Sequence, residues 1–259
     1  MTDQDGAISR RTMLARASLG IACAALLPIS ESCSSVASSP SQSNDNVRLA
    51  SRPIDNPSTI TPGLYSLNLA SRDAELFVPR TYDGKAGVPL LVLLHGAGRD
   101  ATEWTSPQGL RDLLDEFGIA MLAPSSRGGT WNAAPGDVAF IDSALRATFQ
   151  RLRVDGKRIG MGGFSDGASY GMSLALANGD FVARVLGYSM GYLLDFAASG
   201  KPKVFMSHGT ADPILPYAGA VSIASTLRAR GYDVNFVTHE GGHTIGLPVA
   251  RQSFTWFLS

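Results

Sequence analysis

A serine sits between two glycines in residues 163–167, which read Gly-Phe-Ser-Asp-Gly and so match the pattern Gly-x-Ser-x-Gly. A short strand-like run precedes the pattern at 158–162, and small residues and good helix formers follow it at 168–177. Strand, tight turn and helix is the context in which this pattern presents a serine as a nucleophile. Such a turn strains the serine backbone, and the flanking glycines have no Cβ to clash with it. Ser165 is therefore predicted to be a nucleophile.

A serine hydroxyl is a weak nucleophile and needs a base to take its proton. With this turn type the chain order is nucleophile, acid, histidine. Of the four histidines, only His239 and His243 leave room for an acid after Ser165. Asp212 follows a buried strand-like run, and His243 lies between the last strand-like and helix-like segments. We predict that Ser165, Asp212 and His243 form a catalytic triad in which Asp212 orients the imidazole.

Other residues could fill two of these roles. His239, four residues before His243, is a rival base and is expected to be solvated or to support the site from outside. Asp233 and Glu240 are rival acids. Asp233 opens a strand-like run, and Glu240 is too close in sequence to His243, so Asp212 remains the predicted acid.

Residues 239–243 also spell His-Glu-x-x-His, the signature of zinc peptidases. That motif works only on a helix, where residues four apart share a face and both imidazoles reach one metal ion. Gly241 and Gly242 each disfavour a helix by about 1 kcal/mol relative to alanine, and residues 234–237 read as a strand. We therefore expect no metal and no cofactor.

An attacked carbonyl becomes an oxyanion that needs preorganised hydrogen-bond donors. Residues 95–98 read His-Gly-Ala-Gly and follow the apolar run 88–94. The backbone N–H groups of Ala97 and Asp166 are predicted to form this oxyanion hole. The Asp166 amide also begins a helix, whose dipole adds positive potential. His95 is expected to brace the turn.

Large side chains near predicted strand ends are candidates for the wall of a substrate pocket. Apolar and aromatic walls suit an acyl or aryl group. The candidates are Trp104, Trp131, Met190, Tyr192, Ile214 and Tyr217. Such residues also pack in cores, so the sequence leaves both interpretations open.

Alternating strand-like and helix-like segments must position these residues. The strand-like segments are 64–70, 74–78, 88–94, 119–123, 159–162, 182–188, 204–207 and 234–237, and the helix-like segments are 110–117, 138–152, 168–177, 221–230 and 247–258. This alternation predicts an α/β fold with a mostly parallel sheet and helices on both faces, opened by an antiparallel pair. In such sheets the active site gathers at the carboxyl ends of the strands.

Composition excludes several function classes. The 259 residues carry 22 basic and 22 acidic side chains, so nothing favours nucleic acid or an anionic membrane surface. The two cysteines, Cys23 and Cys33, both precede the globular region, which excludes a disulfide framework, a cysteine metal site and a cysteine nucleophile within it. Nothing in the sequence predicts the oligomeric state.

The N-terminal residues are typical of an export signal. Residues 9–14 read Ser-Arg-Arg-Thr-Met-Leu, like a twin-arginine motif, and the apolar run 17–27 is too short to span a bilayer. We predict an export signal over 1–37, with a periplasmic or secreted product and a lipid anchor at Cys33 as an alternative. The Ser- and Pro-rich residues 38–59 are predicted to be a disordered linker, and 60–259 the catalytic domain.

Taken in order, residues 94–98, 163–169, 208–213 and 241–244 resemble α/β-hydrolases of the compact phospholipase/carboxylesterase and polyhydroxybutyrate-depolymerase-like group. The resemblance implies hydrolysis of carboxylic esters through an acyl-enzyme, without metal or cofactor. The chain departs from the lipases because it has no long insertion for a lid, and only 187–199 leaves room for a modest one.

The predicted function is a serine carboxylic-ester hydrolase acting on a small or medium ester. Within the same fold, the alternatives are an exported polyester depolymerase, a feruloyl-type esterase and a serine peptidase. A non-catalytic binding protein that kept the fold is the alternative from another class.

Overall fold

The computed structural model describes residues 47–69, 72–106, 109–131 and 135–259. The predicted export signal, Cys23, Cys33 and residues 38–46 of the predicted linker lie outside the described residues. In the described parts, no helix is long and apolar enough to cross a membrane.

One twisted sheet of eight strands organises the described residues. Its strands are β1 (Gly63–Ser66), β2 (Ala74–Val78), β3 (Val88–Leu94), β4 (Ala120–Pro124), β5 (Val154–Phe164), β6 (Arg184–Tyr188), β7 (Lys203–Gly209) and β8 (Val234–His239). The spatial order is β1-β2-β4-β3-β5-β6-β7-β8. β2 pairs antiparallel with β1 and with β4, and the pairs from β4 to β8 are parallel. The predicted α/β-hydrolase fold with a mostly parallel sheet is confirmed.

Helices cover both faces of this sheet. They are α1 (Thr102–Thr105), α2 (Arg111–Glu116), α3 (Pro135–Phe149), α4 (Asp166–Ala177), α5 (Tyr217–Ala229) and α6 (Leu247–Leu258). Alternate residues of β3 contribute to two separate cores, because successive strand side chains point to opposite faces. Leu90 and Val92 join the core beneath α3, α4 and α5, whereas Leu91 and Leu93 join the core beneath α1, α2 and α6. The uninterrupted apolar run of β3 reflects burial on both sides.

The segment 47–51 corrects the predicted linker over 38–59 and the predicted domain start at residue 60. Val47 and Leu49 are buried in the core beneath α3 and α4. The Leu49 N–H donates to Asn178 Oδ1 at 2.8 Å, and the N–H groups of Ala50 and Ser51 donate to Asp142 Oδ1 at 2.8 and 2.7 Å. Polar composition is a poor guide here because side-chain acceptors from distant helices satisfy the backbone of this segment.

Candidate active site

Ser165 occupies the junction between β5 and α4. It has φ 55° and ψ −117°, a conformation that residues with a Cβ rarely adopt. Its N–H donates to Tyr188 O of the neighbouring strand β6 at 2.9 Å, and its carbonyl accepts the Ser169 N–H at 3.1 Å. The strained backbone is therefore held by hydrogen bonds to a strand on one side and to a helix on the other.

The glycines flanking Ser165 allow this junction to lie directly against the end of β3. A Cβ on Gly163 would overlap the carbonyl oxygen of Leu94, and a Cβ on Gly167 would overlap the carbonyl oxygens of both Leu94 and His95. No other residue type fits at either position without moving the backbone. The Gly-x-Ser-x-Gly pattern thus brings the serine beside the loop that follows β3.

The structure brings Ser165, His243 and Asp212 into one chain of hydrogen bonds. The His243 Nε2 atom lies 2.8 Å from Ser165 Oγ, and its Nδ1 atom lies 2.7 Å from Asp212 Oδ2. A carboxylate can only accept, so Nδ1 carries the proton and Nε2 is free to accept the serine hydroxyl. This is the geometry in which a histidine can act as general base toward a serine.

Asp212 is a buried carboxylate with several donors. Its Oδ1 atom accepts the N–H groups of Ile214 and Leu215, each at 2.9 Å. Burial alone would raise the pKa of Asp212, but the hydrogen bonds from Leu215, His243 and Ile214 outweigh it and lower the pKa below the ordinary value. The carboxylate is therefore ionised at neutral pH and can stabilise an imidazolium at His243.

The rival acids and the rival base lie outside this chain of hydrogen bonds. Asp233 lies 3.9 Å from the ammonium of Lys203, and Glu240 is exposed. His239 ends β8, where its Nδ1 atom accepts the Gly241 N–H at 3.2 Å. Residues 239–243 form a strand end and a turn, so the helix that a His-Glu-x-x-His zinc site requires is absent from this described segment.

The loop after β3 leaves one amide unpaired near the serine. The Gly96 N–H donates to Glu103 Oε2 at 2.6 Å, and the Gly98 N–H donates to Gly129 O at 2.7 Å. Within the described chain the Ala97 N–H between them has no hydrogen-bond partner. Asp166 is the first residue of α4, so its N–H has no carbonyl partner in the helix. Both predicted oxyanion donors are thus available to a ligand.

His95 braces this loop, as expected from its position. The buried ring has Nδ1 2.8 Å from Gly96 O and accepts the Ser126 N–H at Nε2, at 2.9 Å. Trp131 adds a third contact, since its indole N–H donates to His95 O at 2.8 Å. These bonds hold the end of β3 against the loop that follows β4.

Three of the six predicted substrate-contacting residues are buried in the core, which corrects that part of the prediction. Trp104 is 1% exposed and packs beneath α1 and α2. Trp131 is 3% exposed, and its ring stacks on Tyr170 with centroids 5.8 Å apart. Met190 is also buried. These side chains follow strand ends but fold back onto the helices, so they present no open surface to a substrate.

The other three predicted contacts are reachable from solvent to different degrees. Tyr192 is 38% exposed, and its hydroxyl donates to Asp166 Oδ1 at 2.6 Å. Ile214, two residues after Asp212, is 65% exposed. Tyr217 is half-buried and stacks on Phe236. Tyr192 and Ile214 therefore remain predicted contacts.

Sequence reasoning missed three polar side chains at this site. The Asp166 carboxylate joins two walls of the cleft, because Oδ2 accepts the Thr130 hydroxyl and the Trp131 N–H while Oδ1 accepts the Tyr192 hydroxyl. Glu103 holds the Gly96 amide, and its burial raises the pKa of its carboxyl group. His208, which contacts Asp212, lies only four residues before it, and that closeness was the one available signal.

Comparison with known proteins agrees with the fold and with the site. A model of the phospholipase/carboxylesterase family matches residues 117–247, slightly more than half of the chain. The probable feruloyl esterase C of Aspergillus flavus is 23% identical over 236 residues, which cover 76% of this chain and 86% of that protein. Esterase YpfH of Escherichia coli is 26% identical over 189 residues, which cover 65% of this chain and 81% of that protein.

Solved structures share the fold at low sequence identity. The S-formylglutathione hydrolase FrmB of Staphylococcus aureus superimposes with a TM-score of 0.65 at 16% identity, over 76% of this chain and 99% of that one. A ferulic acid esterase superimposes with a TM-score of 0.64 at 14% identity, over 78% of this chain and 98% of that one. The resemblance inferred from the ordered motifs is confirmed: the chain belongs to the phospholipase/carboxylesterase family and is a carboxylic-ester hydrolase with the α/β-hydrolase fold.

Proposed function

We propose that this hydrolase cleaves its ester in two steps through an acyl-enzyme on Ser165. The observation that carries the proposal is the hydrogen-bond chain from Ser165 Oγ through His243 to Asp212, with distances of 2.8 and 2.7 Å. His243 takes the serine proton as Oγ attacks the ester carbonyl, and it then protonates the leaving alcohol. Water, deprotonated by the same imidazole, attacks the acyl-enzyme and releases the acid.

The oxyanion of each tetrahedral intermediate is proposed to bind the backbone N–H groups of Ala97 and Asp166. Two features support this assignment: both amides lack partners in the described chain, and both belong to segments that meet at the end of β3. The amide at the start of α4 also carries the positive end of the helix dipole. A lost oxyanion donor typically costs about 2.7–4 kcal/mol of transition-state stabilisation.

We propose a small or medium ester, bound directly from solution. The segment after β6, where a lid could lie, is fastened to α4. The N–H of Gly191 donates to Ser169 Oγ and the N–H of Leu194 donates to Ser173 Oγ, both at 2.9 Å. A fastened loop argues against opening at a lipid surface. Tyr192 and Ile214 are the proposed apolar contacts for the acyl or aryl group.

A feruloyl-type ester is the second candidate. Relatives named feruloyl esterase C cover most of their own length in the match, and the exposed Tyr192 and Ile214 offer surfaces for an aromatic acid. Export is also proposed, from the twin-arginine-like residues 9–14 and the apolar run 17–27. A polyester depolymerase, a serine peptidase and a non-catalytic binding protein are the alternatives that the following experiment separates.

Active-site labelling with a fluorophosphonate tests the nucleophile. We expect labelling of the wild type and of the control Ser143→Ala, an exposed serine on α3, but none of Ser165→Ala. Equal labelling of Ser165→Ala would refute the assignment. Rates on matched nitrophenyl esters and anilides then rank esterase against peptidase, and a feruloyl ester compared with a butyryl ester tests the second candidate.

A further inference from the structure

A second imidazole reaches the carboxylate of Asp212. His208 lies on β7, and its Nε2 atom is 3.3 Å from Asp212 Oδ2 and 2.8 Å from Leu215 O. The same Oδ2 atom is bonded by His243 Nδ1 at 2.7 Å. Two histidines therefore converge on one oxygen of the acid that orients the general base.

The surroundings of His208 fix its protonation state. Both neighbours of Nε2 are acceptors, so Nε2 must carry a proton. The Nδ1 atom is buried and has no hydrogen-bond partner in the described part of the chain. A proton there would be a buried donor with nothing to bind, which is unfavourable. His208 is therefore the neutral imidazole with its proton on Nε2, and its side chain is fully buried beside that of Asp212.

Leu215 links the two sides of this arrangement. Its N–H donates to Asp212 Oδ1 at 2.9 Å, while its carbonyl accepts from His208 Nε2. The imidazole in turn faces Oδ2, so each carboxylate oxygen meets a donor from the same small cluster. The carboxylate is thus restrained at both oxygens, and the direction in which Oδ2 faces His243 depends on His208.

We propose that His208 is a positioning residue for the triad acid: its Nε2–H, shared between Leu215 O and Asp212 Oδ2, keeps Asp212 Oδ2 directed at His243. This inference rests on the proposed function, because it gives His208 a part in the same site. It assigns His208 no contact with substrate.

Removing the imidazole donor changes the balance of charge at Asp212. In His208→Leu the carboxylate keeps its two amide donors on Oδ1 but loses a donor on Oδ2. A less well solvated carboxylate attracts the proton of His243 more strongly, so the imidazolium persists to higher pH. The other titratable side chain at this point is Tyr217, whose ring lies 6.3 Å from that of His208 and stays in place in every variant.

The test combines imidazole NMR titration with kinetics. We expect the titration midpoint of His243 to rise by about half a pH unit in His208→Leu, and kcat/KM for a nitrophenyl ester at neutral pH to fall about tenfold. His208→Gln, whose amide can place an N–H near the Nε2 position, should recover most of both. Phe205→Leu, a fully buried substitution on the same strand, controls for lost packing and should leave the His243 titration unchanged.

An unchanged His243 titration in His208→Leu, or a Gln variant that behaves like the Leu variant, would overturn the proposal. If His208→Leu does not fold, His208→Gln is compared with His208→Asn, whose shorter amide stays polar but does not reach Asp212 Oδ2, and equal titrations would overturn it. The NMR readout needs no substrate. A wild type without ester hydrolysis but with the expected His243 shift would refute the proposed function and leave the positioning role standing.

Discussion

Replacing Ser165 by glycine should stabilise the protein relative to replacing it by alanine. Ser165 has φ 55° and ψ −117°, and alanine at this position would keep the strain that a Cβ creates there. Glycine adopts such angles without a steric penalty. Both substitutions remove the hydroxyl and its hydrogen bond to His243, so their difference isolates the backbone strain.

The size of the effect follows from two opposing contributions. Strain of this kind costs on the order of 1–3 kcal/mol. The extra freedom of glycine in the unfolded chain opposes the gain by about 0.5–1 kcal/mol. The net advantage of Ser165→Gly over Ser165→Ala is therefore about 1 kcal/mol, which raises Tm by roughly 2–4 °C in a domain of this size.

Thermal and urea unfolding of both variants measure this difference. The matched control is the same pair of substitutions at Ser143, an exposed position inside α3. There glycine should be less stable than alanine by about 1 kcal/mol, so the sign reverses. A Ser165→Gly variant with a Tm equal to or below that of Ser165→Ala would refute the argument from backbone strain.

Three further substitutions test the surroundings of the serine. Asp212 has a lowered pKa, so its ionisation stabilises the fold above the unfolded pKa and that contribution is lost as the pH falls; Asp212→Asn should therefore lose less Tm than the wild type between about pH 6 and about pH 3. Glu103 has a pKa raised by burial, so the stability of Glu103→Gln relative to the wild type should increase as the pH rises above about 4, measured by urea unfolding. Gly167→Ala should lower stability by about 1–3 kcal/mol and reduce kcat, because its Cβ overlaps carbonyl oxygens that lead into the oxyanion loop; a soluble, fully active variant would contradict this.

The triad could be predicted because chain order and loop position carry most of its geometry. Parallel strands end at one edge of the sheet, so loops after β5, β7 and β8 meet there whatever their lengths. Ser165, Asp212 and His243 each follow one of these strands directly or within four residues. Sequence position therefore placed them near one another before any side-chain direction was known.

Side-chain direction explains what the sequence did not predict. Trp104 and Trp131 also follow strand ends, yet both turn into the core, and nothing in their spacing distinguishes them from the exposed Ile214. The Asp166 carboxylate meets Thr130 and Tyr192, which lie 36 and 26 residues away in the chain. Such contacts depend on how loops pack across the sheet, and periodicity carries no information about them.

Two carboxylates border the proposed oxyanion hole, where negative charge should oppose catalysis. Glu103 accepts the Gly96 N–H beside the Ala97 amide, and the carboxylate of Asp166 belongs to the residue whose amide is the second proposed donor. Each carboxyl group is engaged by donors from neighbouring loops, which disperse its charge and at the same time fix the backbone around the hole. Burial also raises the pKa of Glu103, which favours its neutral form there. We therefore infer that these acids serve as acceptors that hold the two walls in place, leaving the Ala97 and Asp166 amides free for the oxyanion.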